Sequence, residues 1–268
     1  MRILATLLSL LCVSSLTLGQ LRPVMSKRSP ELEDVRRRLA ELKMDSLDLS
    51  EIGASTVAVR ELSSGDTREL SGIGAMVAAG EPDAFIQSYS SLAALRKSGH
   101  VIEIGRFSDS PSISDLATLT IEANDLYALW KATPGDSQIK LSETEIKQIR
   151  TVVNGNRFTE PIRQRLSAEY KQVLAKRMSD YINKGSLDSV SYADKEERVN
   201  AEQTFETLAR EQAATPGICS HLASLWTGSS APVFHSSSFC YWAKERFGEL
   251  KPVINLIQVI IHFEGART

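Results

Sequence analysis

The stretch from Phe239 to Phe263 constrains the fold of this chain more than any other part of the sequence. It has the densest aromatic and β-branched content in the chain, and a turn at residues 248–250 divides it, which predicts two strands joined as a hairpin. A hairpin this apolar is unsuited to a protein surface. We therefore expect it to form the buried centre of a sheet that the rest of the chain covers.

The N-terminus predicts export. A short positive start, Met1-Arg2, is followed by an apolar run over residues 3–16 and by the small residues of a cleavage site at 17–19. The run is shorter than the roughly 20 apolar residues that a membrane-spanning helix needs, although an uncleaved anchor remains an alternative. We expect a signal peptide at 1–19, a periplasmic or secreted protein, and no transmembrane segment after cleavage.

The charge and the cysteine content limit which binding partners and which disulfides this chain can have. The net charge is −2 with both signs interspersed, so no nucleic-acid partner is expected. Cys219 and Cys240 remain after cleavage, and an oxidising compartment permits a disulfide between them. Two free, buried cysteines are the equally weighted alternative.

The first part of the chain predicts an α+β domain. Residues 20–54 form a lead-in and a helix, and residues 55–268 form the domain. That domain opens with strands at 56–62 and 67–79, a helix at 81–98 and a strand at 100–107. The order strand–strand–helix–strand favours an antiparallel sheet rather than a row of parallel units.

A helical insertion is expected at about 142–227. A short strand at 138–141 leads to a capping box, Ser142 to Glu145, which begins one helix. The longest helix begins at Thr159-Glu160-Pro161 and repeats apolar residues every four positions. Shorter helices are predicted at 201–211 and 218–225.

The sequence carries no strong catalytic or metal-binding motif. The serines at 236–238 lack the Gly-x-Ser-x-Gly turn that exposes a nucleophile, and the glycines at 72 and 74 lack the third glycine of a dinucleotide site. His221 and His235, with the two cysteines, do not have the paired spacing of a structural zinc site. We expect no cofactor and no metal.

Candidate ligand-lining residues lie in the hairpin: Tyr241, Trp242, Lys244 and Glu245. Lys244 and Glu245 point to opposite faces of a strand, so one of them could face a cavity and orient a ligand. The favoured alternative for these charges is an ion pair. A catalytic alternative, an envelope hydrolase or transferase, would use Glu245 with His235 or His262.

Several short segments resemble a family of uncharacterised exported bacterial proteins. The similarity covers about residues 56–261 and is carried by Val59-Arg60-Glu61-Leu62, Ile104-Gly105-Arg106-Phe107, Gly135-Asp136-Ser137, Lys140-Leu141, Tyr241-Trp242-Ala243-Lys244-Glu245, Phe247 and Lys251-Pro252-Val253. The chain departs from the family pattern at Ala132 and Ser137, where the family has cysteines, and at Gln258, where it has a histidine.

The order of strands and helices is similar to the START/polyketide-cyclase-like helix-grip fold. Members of the exported family continue with further strands and a terminal helix, so the resemblance implies a truncated helix-grip fold with an exposed apolar groove on its sheet. We therefore expect a non-catalytic protein that binds an apolar ligand, a lipid or a protein partner. The alternatives are the envelope enzyme and a degenerate family member with a structural or interaction role, including a homodimer that buries the open edge.

Overall fold

The computed structural model describes residues 58–62, 71–75, 99–184, 191–200 and 236–262, with a few isolated positions. The described strands are β1 (Ala58–Leu62), β2 (Ser71–Ala75), β3 (Val101–Arg106), β4 (Ser191–Tyr192), β5 (Val199–Asn200), β6 (Ser236–Glu245) and β7 (Val253–His262). The described helices are a 3-10 helix (Ile113–Leu116), α1 (Ala123–Lys131), α2 (Glu143–Val153) and α3 (Glu160–Lys184). Helices and antiparallel sheets together make the fold α+β, as the sequence predicts.

The predicted apolar hairpin is confirmed. β6 and β7 pair antiparallel over their whole length, from Ser236 opposite His262 to Glu245 opposite Val253. Gly248 in the turn has a φ of 57°, a left-handed conformation that glycine adopts without steric cost. β6 is the central strand of the order β3-β6-β7. β1 and β2 lie within the two predicted strands, but they pair antiparallel in a two-stranded sheet of their own, which was not predicted.

Both faces of β6 are buried from Phe239 to Lys244. Cys240 and Trp242 belong to a hydrophobic core that includes the three α-helices, whereas Phe239, Tyr241 and Ala243 belong to a second core on the opposite face. Leu92 packs against this second core. The exposed apolar groove that the helix-grip resemblance implies is therefore not seen on β6, because side chains cover the strand on both sides.

The helices present apolar stripes to the first core. Its buried helical residues recur at spacings of three and four, as expected for amphipathic helices packed on a sheet: Leu126, Leu129, Ile146, Ile149, Ile162, Leu166, Val173 and Leu174. α2 and α3 lie within the predicted helical insertion. The signal peptide, the first predicted helix and the helices predicted at 201–211 and 218–225 lie outside, or almost outside, the described residues.

The strand predicted at 138–141 is wrong. The structure has irregular backbone there, with a single β-bridge between Ser142 and Tyr192 and a hydrogen bond of 2.8 Å from the Ala193 amide to the Leu141 carbonyl. Pairing stops after this bridge because Ser142 is already the N-cap of α2. The capping box itself is confirmed: the Glu145 amide donates to Ser142 Oγ, and the Ser142 amide donates to Glu145 Oε2.

Glu145 also joins α2 to α3. Arg177 on α3 donates from Nε to Glu145 Oε1 at 2.7 Å and from Nη2 to Glu145 Oε2 at 2.6 Å. The same Nη2 donates to the Lys140 carbonyl at 2.7 Å, and the guanidinium lies over the Tyr192 ring. Burial alone would raise the pKa of Glu145, but the bonds and charge of Arg177 lower it, so the pair stays ionised.

We predict that Arg177→Met lowers the free energy of unfolding by about 3 kcal/mol, because it leaves a largely buried carboxylate without its partner. Arg198→Met is the matched control. Arg198 is exposed, and it pairs with Glu143, which lies in the same turn of α2 as Glu145. We expect the control to cost less than about 1 kcal/mol in urea denaturation. Equal losses for the two variants would contradict a special role for Arg177.

Trp242 fixes the sheet against the helical layer. Its side chain is 0% exposed, and its Nε1 donates to the Asp115 carbonyl at 2.8 Å. The indole ring lies over Gly105, its partner on β3. A Cβ at position 105 would come within 2.6 Å of three indole atoms, so only glycine fits there.

We predict that Gly105→Ala costs about 2–4 kcal/mol of stability, because the buried indole has to shift. Gly99→Ala is the control, since a Cβ there meets nothing within 4 Å. Urea denaturation of both variants tests the prediction. If Gly105→Ala unfolds at the wild-type midpoint, the contact with Trp242 is not as tight as described.

Candidate functional site

Lys244, a predicted site residue, lies in a polar cluster at one end of the sheet. The register of β6 with β3 places it opposite Glu103, on the same face as Trp242. The segment between the 3-10 helix and α1 brings Thr120 and Glu122 to the same place. The Lys244 side chain is only 3% exposed, so its ammonium depends on these partners for solvation.

The Lys244 ammonium has four oxygen neighbours. Its Nζ lies 2.6 Å from Glu122 Oε1, 2.8 Å from Thr120 Oγ1, 3.0 Å from the Thr120 carbonyl and 3.2 Å from Glu103 Oε1. Glu103 also accepts from the Thr120 amide at 2.7 Å and from the Thr120 hydroxyl. The favoured sequence interpretation, an ion pair at Lys244, is therefore confirmed.

The protonation states follow from these contacts. Burial opposes the charge on Lys244, but the hydrogen bonds to Glu122 and Glu103 outweigh it and raise the pKa of the amine. Burial likewise opposes the charge on Glu103, yet the bonds from Thr120 and Lys244 lower its pKa. A charged amine has no free lone pair, so Lys244 in this state is neither a base nor a nucleophile. Its contacts join the sheet to the start of α1.

The other predicted lining residues are also held within the fold. Tyr241 and Trp242 are buried in the two cores. Glu245 accepts a hydrogen bond of 2.5 Å from Nδ2 of Asn255. Asn255 is a buried residue of the neighbouring strand, β7. These contacts give all three side chains a structural role.

The catalytic grouping of Glu245 with His262 is not formed. Glu245 pairs with Val253 and His262 pairs with Ser236, at opposite ends of two ten-residue strands. At about 3.3 Å per residue, these ends are roughly 30 Å apart. His235, the other predicted partner, lies outside the described residues.

Cys240 is a free, buried cysteine in this structure, and the disulfide with Cys219 that the sequence permits stays a prediction. Its side chain packs in the first core beside Trp242, and Cys219 lies outside the described residues. Burial raises the pKa of the Cys240 thiol to about 11, which keeps it protonated and unreactive at neutral pH. Within the described part of the chain, no three His, Cys, Asp or Glu side chains are arranged to hold a metal ion.

Sequence reasoning missed a cluster of aromatic rings on the helical layer, which we call the aromatic surface: Tyr127, Trp130 and Phe158. Tyr127 stacks on Trp130 at 5.7 Å between ring centroids, and Phe158 meets Tyr127 edge-on at 5.4 Å and Trp130 at 5.8 Å. Tyr127 is 43% exposed, and the other two rings are half-buried. The three rings therefore form one rigid apolar patch that reaches solvent.

Three cations contact the residues of the aromatic surface, and a fourth, Arg157, neighbours it in the chain. Lys131 Nζ lies 5.0 Å from the Tyr127 ring centroid, and the Arg163 guanidinium lies 5.7 Å from that of Phe158. Arg150 Nη1 donates to the Trp130 carbonyl at 3.3 Å, and Arg157 is exposed directly before Phe158 in the chain. The interaction of Lys131 with Tyr127 raises the pKa of this lysine, which supports its charge at neutral pH.

The sequence could have predicted two of the three rings of this surface as neighbours. Tyr127 and Trp130 are three residues apart on α1, and residues at this spacing share a face of a helix. Nothing in the sequence places Phe158 beside them, because that contact depends on how α3 packs against α1.

Comparisons with family models, with curated proteins and with solved structures found no match to this chain. The resemblance to the exported bacterial family and to the helix-grip fold therefore stays a prediction. None of the helices that the structure describes combines the length and apolar character that crossing a membrane requires.

We predict that Glu103→Gln lowers the free energy of unfolding by about 1–2 kcal/mol at pH 7, because it removes a charged partner from buried Lys244. The folded pKa of Glu103 is lowered, so its contribution is complete above the unfolded value of about 4.3 and is lost as pH falls through the folded value. The difference between wild type and variant should therefore shrink towards pH 2. The check is urea denaturation across this range.

The control for this experiment is Glu249→Gln, since Glu249 is exposed in the hairpin turn. It should change stability by less than about 0.5 kcal/mol at either pH. A Glu103→Gln effect that stays constant down to pH 2 would show that its carboxylate charge is not what stabilises Lys244.

Proposed function

We propose that this protein is an exported, non-catalytic binding protein that recognises a protein partner through the aromatic surface of Tyr127, Trp130 and Phe158. The observation that carries the proposal is the mutual contact of three aromatic rings at the surface, with Tyr127 43% exposed. Aromatic residues of this kind are enriched at the centres of protein interfaces, where they supply most of the binding energy.

The aromatic surface is pre-organised for binding. Trp130 Nε1 donates to the Asn156 carbonyl at 3.1 Å, which holds the ring against the segment that carries Phe158. Arg150, on α2, donates a hydrogen bond to the backbone carbonyl of the same Trp130. Because these contacts order the rings before a partner arrives, little side-chain entropy is lost on binding.

The remaining candidate residues support a non-catalytic role. Lys244 pairs with both Glu103 and Glu122, and Glu245 lies far along the hairpin from His262. The apolar hairpin that motivated a ligand cavity contributes its side chains to two packed cores. The N-terminal sequence pattern supports export, and an exported protein would meet its partner in the periplasm or outside the cell.

The test is site-specific photo-crosslinking in intact cells that export the protein. A photoreactive phenylalanine analogue at position 127 should yield one discrete adduct whose second component is identified by mass spectrometry. Phe158→Ser in the same chain should reduce that adduct at least tenfold, because it removes an aromatic neighbour of the probe. The matched control places the analogue at position 182, an exposed isoleucine near the other end of α3.

We expect no corresponding adduct at position 182. Equal adducts at both positions, or none at position 127, would contradict recognition through the aromatic surface. An adduct between two copies of this chain would replace the separate partner by a homodimer.

A further inference from the structure

We infer that the segment bound at the aromatic surface is acidic, a stretch of the partner in which Asp or Glu residues alternate with apolar ones. This inference rests on the proposed function and specifies the chemistry of its partner. It comes from the charges around the three rings rather than from the rings themselves.

The cations around the aromatic surface are short of carboxylate partners. Of the four, Arg163 pairs with Glu160, whereas no carboxylate of the described residues forms an ion pair with Lys131, Arg150 or Arg157. Lys131 instead contacts the Tyr127 ring, and Arg150 contacts a backbone carbonyl. The surface therefore carries uncompensated positive charge.

Several cations elsewhere on α2 and α3 do have carboxylate partners. Lys147 pairs with Glu143, Lys176 with Asp180 and Arg177 with Glu145. Arg165 and Lys171 form no ion pair among the described residues, so the aromatic surface differs in having its unpaired cations beside exposed aromatic rings. Positive charge without local compensation, placed around exposed aromatic rings, is complementary to a chain segment that supplies both carboxylates and apolar side chains.

Arginine strengthens this complementarity. Its guanidinium binds carboxylates through two parallel hydrogen bonds, and Arg150, which donates from Nη1 to the Trp130 carbonyl, has further N–H groups that a carboxylate can accept. A partner with apolar residues between its acids could pack them on Tyr127 while its carboxylates reach Lys131 and Arg157. We favour a peptide over an anionic membrane because Trp130 and Phe158 are half-buried and do not protrude for insertion.

The test uses a fluorescein-labelled peptide of Glu-Glu-Pro-Leu repeats, with the same peptide carrying Gln in place of Glu as its control. Fluorescence anisotropy with the full exported chain measures both affinities. We expect the Glu peptide to bind at least tenfold more tightly at low salt, and this advantage to shrink as salt screens the charges. Tyr127→Ser should weaken binding of the Glu peptide about tenfold.

Two double variants with the same loss of charge locate the effect. Lys131→Gln with Arg157→Gln should weaken binding of the Glu peptide about fivefold, because two exposed charge contacts are removed. Lys176→Gln with Lys195→Gln, which changes exposed lysines away from the aromatic surface, should change it less than about twofold. Circular dichroism confirms that each variant is folded before the affinities are compared.

The outcomes separate this inference from the proposed function. If the adduct at position 127 forms but the Glu and Gln peptides bind equally or not at all, the acidic inference is overturned and the aromatic surface stands. If neither the adduct nor peptide binding is seen, both proposals fall. Binding to phosphatidylglycerol vesicles without binding to the Glu peptide would overturn the inference in favour of an anionic membrane.

Discussion

The contact between Trp242 and Gly105 is the constraint on which the rest of the structure depends. A fully buried indole lies over a position where no side chain fits, and its one polar atom is satisfied by the Asp115 carbonyl. This single side chain therefore joins the paired strands β3 and β6 to the 3-10 helix that carries Asp115. The three α-helices pack in the same hydrophobic core as Trp242.

One consequence is that the apolar hairpin, the most distinctive part of the sequence, supports the fold rather than presenting a site. On the helix-facing side of β6, Trp242 is followed two residues later by Lys244, whose ammonium is bound by Glu122 at the start of α1. α1 then carries Tyr127 and Trp130 away from the sheet to the surface. The charged cluster positions the helix at its first residue, and the candidate binding surface lies towards its last.

The sequence predicted the parts of the fold that depend on local patterns, and not those that depend on packing between distant segments. The hairpin at 239–263 followed from β-branched and aromatic content, and the start of α2 followed from the spacing of Ser142 and Glu145. The strand predicted at 138–141 failed because the bridge to Tyr192 ends where the helix begins. Phe158 could not be assigned to the aromatic surface, because only the packing of α1 against α3 brings it there.

Glu145 makes the beginning of one helix depend on the docking of another. Its carboxylate accepts the Ser142 amide, which completes the first turn of α2, and it accepts Arg177 from the middle of α3. A helix whose cap is shared in this way cannot fray independently. Opening its first turn would also leave the buried guanidinium of Arg177 without its carboxylate partner. The amide hydrogens of Ser142 and Glu145, which the capping box engages, should therefore exchange with solvent mainly when α3 detaches, so that the two helices open as one cooperative unit.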